Sequence, residues 1–137
     1  MEILINVGIG KAATVAPGKR AALVFDVEWN DPEGVHANPA AAWLPKESGL
    51  HVTTLTVTVS GQTAGEKLKL SVAEFTRDGK SRVKDLVGED KVGNGTKVEY
   101  TLTGLVSLWK DKSYRAEVEN FGTSTVTVEK AYLKVAK

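Results

Sequence analysis

A chain of 137 residues with 18 basic and 17 acidic side chains, a formal charge of +1 and no run of like charge lacks the electrostatic footprint of a nucleic-acid or anionic-membrane binder. It contains no cysteine, which excludes disulfides, thiolate metal sites and a cysteine nucleophile. One domain of this size buries roughly two thirds of the surface its unfolded chain exposes, enough to fold without covalent staples.

The opening stretch MEILINVGIG is apolar, but Glu2 stands where a secretory leader has its basic segment and Lys11 follows the apolar run, so a cleaved leader is not expected. Residues 1–18 are read as an N-terminal arm or first strand. Ile3, Leu4 and Ile5 can pair within the chain's own sheet or add as a strand to a partner or neighbouring protomer. Residues 19–137 form the remaining domain. In RAALVFDVEW, Leu23, Phe25, Val27 and Trp29 fall on one side of an alternating strand. The following DVEWNDPEGVH holds the densest polar cluster, Asp26, Glu28, Asp31, Glu33 and His36. As a calcium loop it lacks the glycine at the sharp turn and the closing bidentate glutamate; an exposed strand edge and loop is the reading the pattern favours.

HANPAAAWLPKES leaves room for one helical turn at most between Pro39 and Pro45. In LPKESGLHVTTLTVTVSG, Leu55, Val57 and Val59 alternate with threonines while Leu50 and Val52 have the opposite parity, so a bulge is expected near Thr53 and Thr54. His51 sits in this strand as a packed or interface histidine, not a metal ligand. RDGK reads as a hairpin with Asp78 and Gly79 at its tip; the neighbouring DGKS lacks the rest of a phosphate-binding loop. NGT from Asn94 is formally a glycosylation acceptor, and GNG marks another turn.

GTKVEYTLTGLVSLW directs Val98, Tyr100, Leu102, Val106 and Leu108 to one face. SYRAEVEN sets Tyr114, Ala116 and Val118 against Arg115, Glu117 and Glu119, a strand with one buried and one solvated side. FGTS is a further turn, and in STVTVEKAYLKVAK the apolar parity switches between Val128 and Ala131, with a kink expected at Lys130. Trp29, Trp43, Trp109 and Phe121 stand at strand ends or turns, where large rings either plug a core or form a contact surface. Roughly eight to ten short strands with frequent turns predict an all-β antiparallel sandwich or barrel in a single domain. No residue pattern supports a catalytic, cofactor or metal site, so an enzyme is not expected.

Three stretches carry a family resemblance: KRAALVFDVEWNDPEGVHA, AAWLPKESGLHVTTLTVTV and GLVSLWKDKSYRAEVENFGTSTVTVEKAYLKVAK. In order and spacing they resemble the jelly-roll domain of the complement first-component q globular head and tumour necrosis factor, in the short form of bacteriophage structural proteins. His51 stands where that family usually has tyrosine, and Lys110 where its turn commonly has glycine. The resemblance implies a jelly-roll β-sandwich, a homotrimer and no cofactor. It further implies a virion structural protein, made in the host cytoplasm, that decorates the outer capsid surface by binding the major capsid protein. The alternatives are a glycan-binding module of a phage fibre tip, with Trp43 or Trp109 stacking on sugar rings, and an unrelated adhesion domain. Candidate trimer or partner contacts are Ile3, Leu4, Ile5, Trp43, His51, Trp109, Phe121 and Tyr132.

Overall fold

The structure, a computed structural model, describes residues 2–137. Ten strands form in the order β1 (Ile3–Gly8), β2 (Ala13–Val15), β3 (Arg20–Ala22), β4 (Val27–Asn30), β5 (Gly49–Ser60), β6 (Lys67–Thr76), β7 (Arg82–Val92), β8 (Val98–Leu108), β9 (Lys112–Asn120) and β10 (Val126–Ala136). They stack as two antiparallel sheets. One runs β4-β1-β10-β5-β8 with β2 also paired to β10; the other runs β3-β9-β6-β7. This is the all-β antiparallel sandwich expected from the strand count, layered as the jelly roll that the family resemblance implies.

Alternation decides which side chains enter the space between the sheets. Leu55, Val57 and Val59 of β5 and Leu133 and Val135 of β10 meet Leu68, Leu70 and Val72 of β6 and Ala116 and Val118 of β9 in one buried cluster. The register of β10 on β5 shifts between Val128 and Lys130, so the kink expected at Lys130 falls there and both apolar parities point inward. The bulge expected near Thr53 is absent: β5 pairs with β8 in unbroken register from Gly49 to Val59. Instead His51 and Thr53 continue the inward parity and are buried, and Leu50 and Val52 face outward. The physical reason is that one strand end tolerates polar residues inside, whereas the outer face there is itself apolar.

Two further expectations change. RAALVFDVEW is not one strand, because β3 belongs to one sheet and β4 to the other, with buried Leu23 and Phe25 crossing between them. Trp29 leaves the buried row: the register of β4 on β1 slips beside it, and its ring lies outside. Glu117, expected on a solvated face, is instead buried beneath the Arg82 guanidinium, which donates to it at 3.1 Å. Arg82 also pairs with Asp85, which Lys69 holds from β6.

The connection 31–48 contains no helix and is pinned by specific bonds. Asp31 accepts from the backbone N–H groups of Val35 (2.8 Å) and His36 (3.0 Å). The buried His36 ring lies 2.9 Å from Glu28 through Nδ1 and 2.9 Å from the Ala40 carbonyl through Nε2. The acidic cluster therefore braces this connection. Trp43 exchanges backbone hydrogen bonds with Tyr114 of β9 in both directions, each 3.0 Å, which carries its ring into the core. At the RDGK tip, Asp78 accepts from the Lys80 N–H at 3.0 Å, the hairpin read from the sequence.

Candidate functional site

The outer face of the β4-β1-β10-β5-β8 sheet carries several exposed large side chains. Register fixes its rows: Tyr132 of β10 stands beside Thr56 of β5 and Thr101 of β8, Lys134 beside Thr54 and Thr103, and Ala136 beside Val52 and Leu105. Hydroxyl and methyl groups of threonine, with few charges, fill its middle. Trp29 and Tyr132 are 51% and 44% exposed, their ring centroids 5.7 Å apart, and Leu105 at the β8 edge is 67% exposed.

The Trp29 ring reaches over Gly8, which has no side chain to displace it. A Cβ at residue 8 would come within 2.8 Å of the Trp29 ring and 3.0 Å of the Ala131 carbonyl, closer than packed carbon atoms sit. The long central strands β10, β5 and β8 with the shorter β1 and β4, at about 4.8 Å spacing and about 3.3 Å per residue, present roughly 700 Å². A standard protein interface uses about 800 Å² per partner.

At one end of this sheet Leu50 and Trp109 flank a groove of about 220 Å³ lined also by Ser48, Gly49, Ser107 and Leu108; Trp109 is 54% exposed. Two devices hold this end, one buried around Tyr114 and one at the surface around Arg77. The Tyr114 hydroxyl accepts from the backbone N–H of Trp109 (2.6 Å) and donates to Glu74 (3.1 Å), and burial, reinforced by that carboxylate, pushes the hydroxyl well above the ordinary phenol range. Arg77 donates through one guanidinium nitrogen to the carbonyls of Pro45 (2.8 Å), Lys110 (2.7 Å) and Lys112 (3.3 Å), tying three loops together.

The expected contact residues separate. Tyr132 lies on the open face, Trp109 at the groove, and Phe121 beyond the far end of β9, about 30 Å away at roughly 3.3 Å per residue, with the Lys67 ammonium 5.5 Å above its ring. Ile3 is half-buried, while Leu4 and Ile5 are buried; β1 lies between β10 and β4 in its own sheet. Trp43 and His51 are enclosed in the core of the protomer, so their side chains offer no contact surface, and Trp43 is removed as a sugar platform. Residues 1–18 thus include β1 and β2, both within the sandwich.

Sequence reading missed Trp29 as an outer partner of Tyr132. It also missed Glu74, whose parity with Leu68, Leu70 and Val72 on β6 was the available signal for a buried acid. Among the described residues no group of three or more His, Asp or Glu side chains is placed to hold a metal ion.

No protein-family model matches the chain, and no curated protein sequence matches it. Solved structures do. The globular domain of zebrafish complement 1qA protein aligns with a TM-score of 0.62 and 13% identity over 96% of this chain and 93% of that one. Murine APRIL crystallised at pH 8.5 aligns with a TM-score of 0.67 and 7% identity over 97% and 98%, and Eiger TNF from S. frugiperda with 0.60 and 11% over 100% and 93%. The chain therefore has the complement-1q and tumour-necrosis-factor type of jelly-roll fold. At these identities the likeness establishes fold alone.

Proposed function

We propose that this chain is a non-enzymatic virion structural protein that associates as a homotrimer through the outer face of its β4-β1-β10-β5-β8 sheet and decorates the outer surface of a bacteriophage capsid. The observation that carries self-association is the exposed Trp29, Tyr132 and Leu105 set on a threonine-rich face of near-standard interface area. Aromatic residues in such a position are typical anchors of protein contacts. A head-to-tail contact repeated about a threefold axis closes and stops, so it does not propagate into filaments. The capsid partner and the bacteriophage setting rest on the resemblance of the three quoted stretches. Mixing the purified protein with empty phage capsids and sedimenting the particles tests this: saturable co-sedimentation at a fixed stoichiometry supports decoration, and none at any salt concentration refutes it.

A second reading is favoured by one observation, the exposed Trp109 beside the Ser48 and Ser107 groove. A sugar ring can stack on such an indole while hydroxyls hold its polar rim. Selective binding on a glycan array, lost in Trp109→Ala, would support this reading; silence together with capsid recruitment would exclude it.

A further inference from the structure

We infer that Asn94, in the turn between β7 and β8, is a site of spontaneous deamidation, with water as the only co-reactant. Asn94 is exposed, and Gly95 follows it with φ +82°, so no side chain shields the backbone nitrogen between them. Thr96 donates twice to Asn94 Oδ1, from its backbone N–H at 3.0 Å and from its hydroxyl at 2.7 Å. Among the described residues neither the Gly95 N–H nor the Asn94 Nδ2 has a hydrogen-bond partner. The nucleophile and the leaving group are both free, and the oxygen that must take on negative charge already holds two donors, the arrangement that stabilises a tetrahedral intermediate.

The Gly95 nitrogen gives its proton to hydroxide and bonds to Asn94 Cγ, and the carbonyl electron pair moves onto Oδ1 between the two Thr96 donors. Collapse breaks the Cγ–Nδ2 bond, and ammonia leaves with a proton from water. The resulting cyclic imide takes up one water: opening at Cγ gives aspartate, and opening at the main-chain carbonyl gives isoaspartate with one extra methylene in the backbone. The net change is amide plus water to carboxylic acid plus ammonia.

The other four asparagines are disabled for distinct reasons. Asn6 and Asn30 face each other across paired β1 and β4. Asn38 precedes Pro39, which has no N–H to become the nucleophile. Asn120 is buried, and its amide nitrogen donates to the carbonyls of Val15 (3.0 Å) and Ser124 (2.8 Å). The product has consequences for the fold, because this turn joins the β7 edge of one sheet to the β8 edge of the other. It also adds a negative charge near Lys97, which is held by Glu129 at 3.2 Å.

The test is incubation of the native full chain in mildly alkaline buffer with ¹⁸O-labelled water, followed by peptide mapping with fragmentation that separates aspartate from isoaspartate. Amide loss with label uptake at Asn94 is expected to outpace the other four asparagines combined, and to slow in Thr96→Ala and vanish from this peptide in Asn94→Gln. The same incubation of chain unfolded in urea calibrates the turn. Protection of Asn94 in the native protein relative to the unfolded chain would overturn the inference, as would faster loss in Thr96→Ala, since either result makes the Thr96 hydrogen bonds a restraint on the amide and not an activation of it.

Discussion

Tyr114→Phe isolates one oxygen atom in the core and removes two hydrogen bonds with it. The ring position, packed 6.0 Å from Trp43, is preserved by phenylalanine, so the loss is not one of volume. What remains is a Trp109 backbone N–H that has lost its acceptor at 2.6 Å and a buried Glu74 that has lost its donor at 3.1 Å. A buried polar group left unpaired costs about 1–3 kcal/mol, and more when charged, so the substitution is expected to cost about 3–5 kcal/mol. That is a large share of the roughly 5–15 kcal/mol that holds a domain together. Urea unfolding followed by tryptophan fluorescence is the assay, and the midpoint is expected to fall with the slope unchanged. A double-mutant cycle with Glu74→Leu sharpens the result, since removing both partners is expected to recover part of the loss. A cost below about 1 kcal/mol, or strict additivity in the cycle, would refute the buried Glu74–Tyr114–Trp109 arrangement.

Other substitutions probe the site and its supports. Gly8→Ala is expected to push the Trp29 ring off the sheet, costing about 1–3 kcal/mol as overpacking does and red-shifting tryptophan emission; wild-type emission and stability would contradict the contact. Arg77→Ala removes the shared donor of three carbonyls, and because Arg77 is exposed it is expected to cost about 0.5–1.5 kcal/mol, the range of an ordinary hydrogen bond, with faster amide exchange in the β8–β9 turn; unchanged exchange there would sink the staple. Asp85 and Glu66 both have lowered carboxyl pKa values. At Asp85 burial pushes upward, but hydrogen bonds from Lys69 and Arg82 together outweigh it; at Glu66 the backbone N–H and hydroxyl of Thr123 draw it down. A depressed folded-state value means stability present above the ordinary carboxylate range and lost as pH falls through it, so the urea midpoint is expected to drop between about pH 5 and pH 3. Asp85→Asn is expected to flatten that slope, and an unchanged slope would contradict the ion-pair assignment.

The parts of the fold legible in the sequence were the inward rows of its strands, whereas the outer side of β9, read as solvated, holds the buried Glu117. Tyr114, Ala116 and Val118 on β9 and the inward row of β8 follow directly from the two-residue period. The period does not say which layer a strand joins. Leu23 and Phe25 keep their parity while the chain passes from one sheet to the other, and Trp29 escapes to the outside because a register slip, invisible in composition, turns it over Gly8. Parity also misleads where a face is apolar on both sides. Leu50 and Val52 look like core residues displaced by a bulge, yet they are outer-face residues, and His51 and Thr53 take the inner positions. Of the candidate contact residues, Tyr132, Trp109 and Phe121 are exposed while Trp43 is enclosed, a division that position at a strand end does not reveal. Trp43 is drawn inside by its backbone pairing with Tyr114, a contact between distant segments that no local pattern encodes.

Sedimentation-velocity centrifugation of the purified chain over a dilution series, beside Tyr132→Arg and Leu105→Glu, tests the proposed assembly most directly. The wild type is expected to sediment at three times the protomer mass, and each variant, folded by circular dichroism, at the mass of one protomer. A wild-type chain that sediments as a monomer throughout, or charged variants that remain trimeric, would contradict self-association through this face.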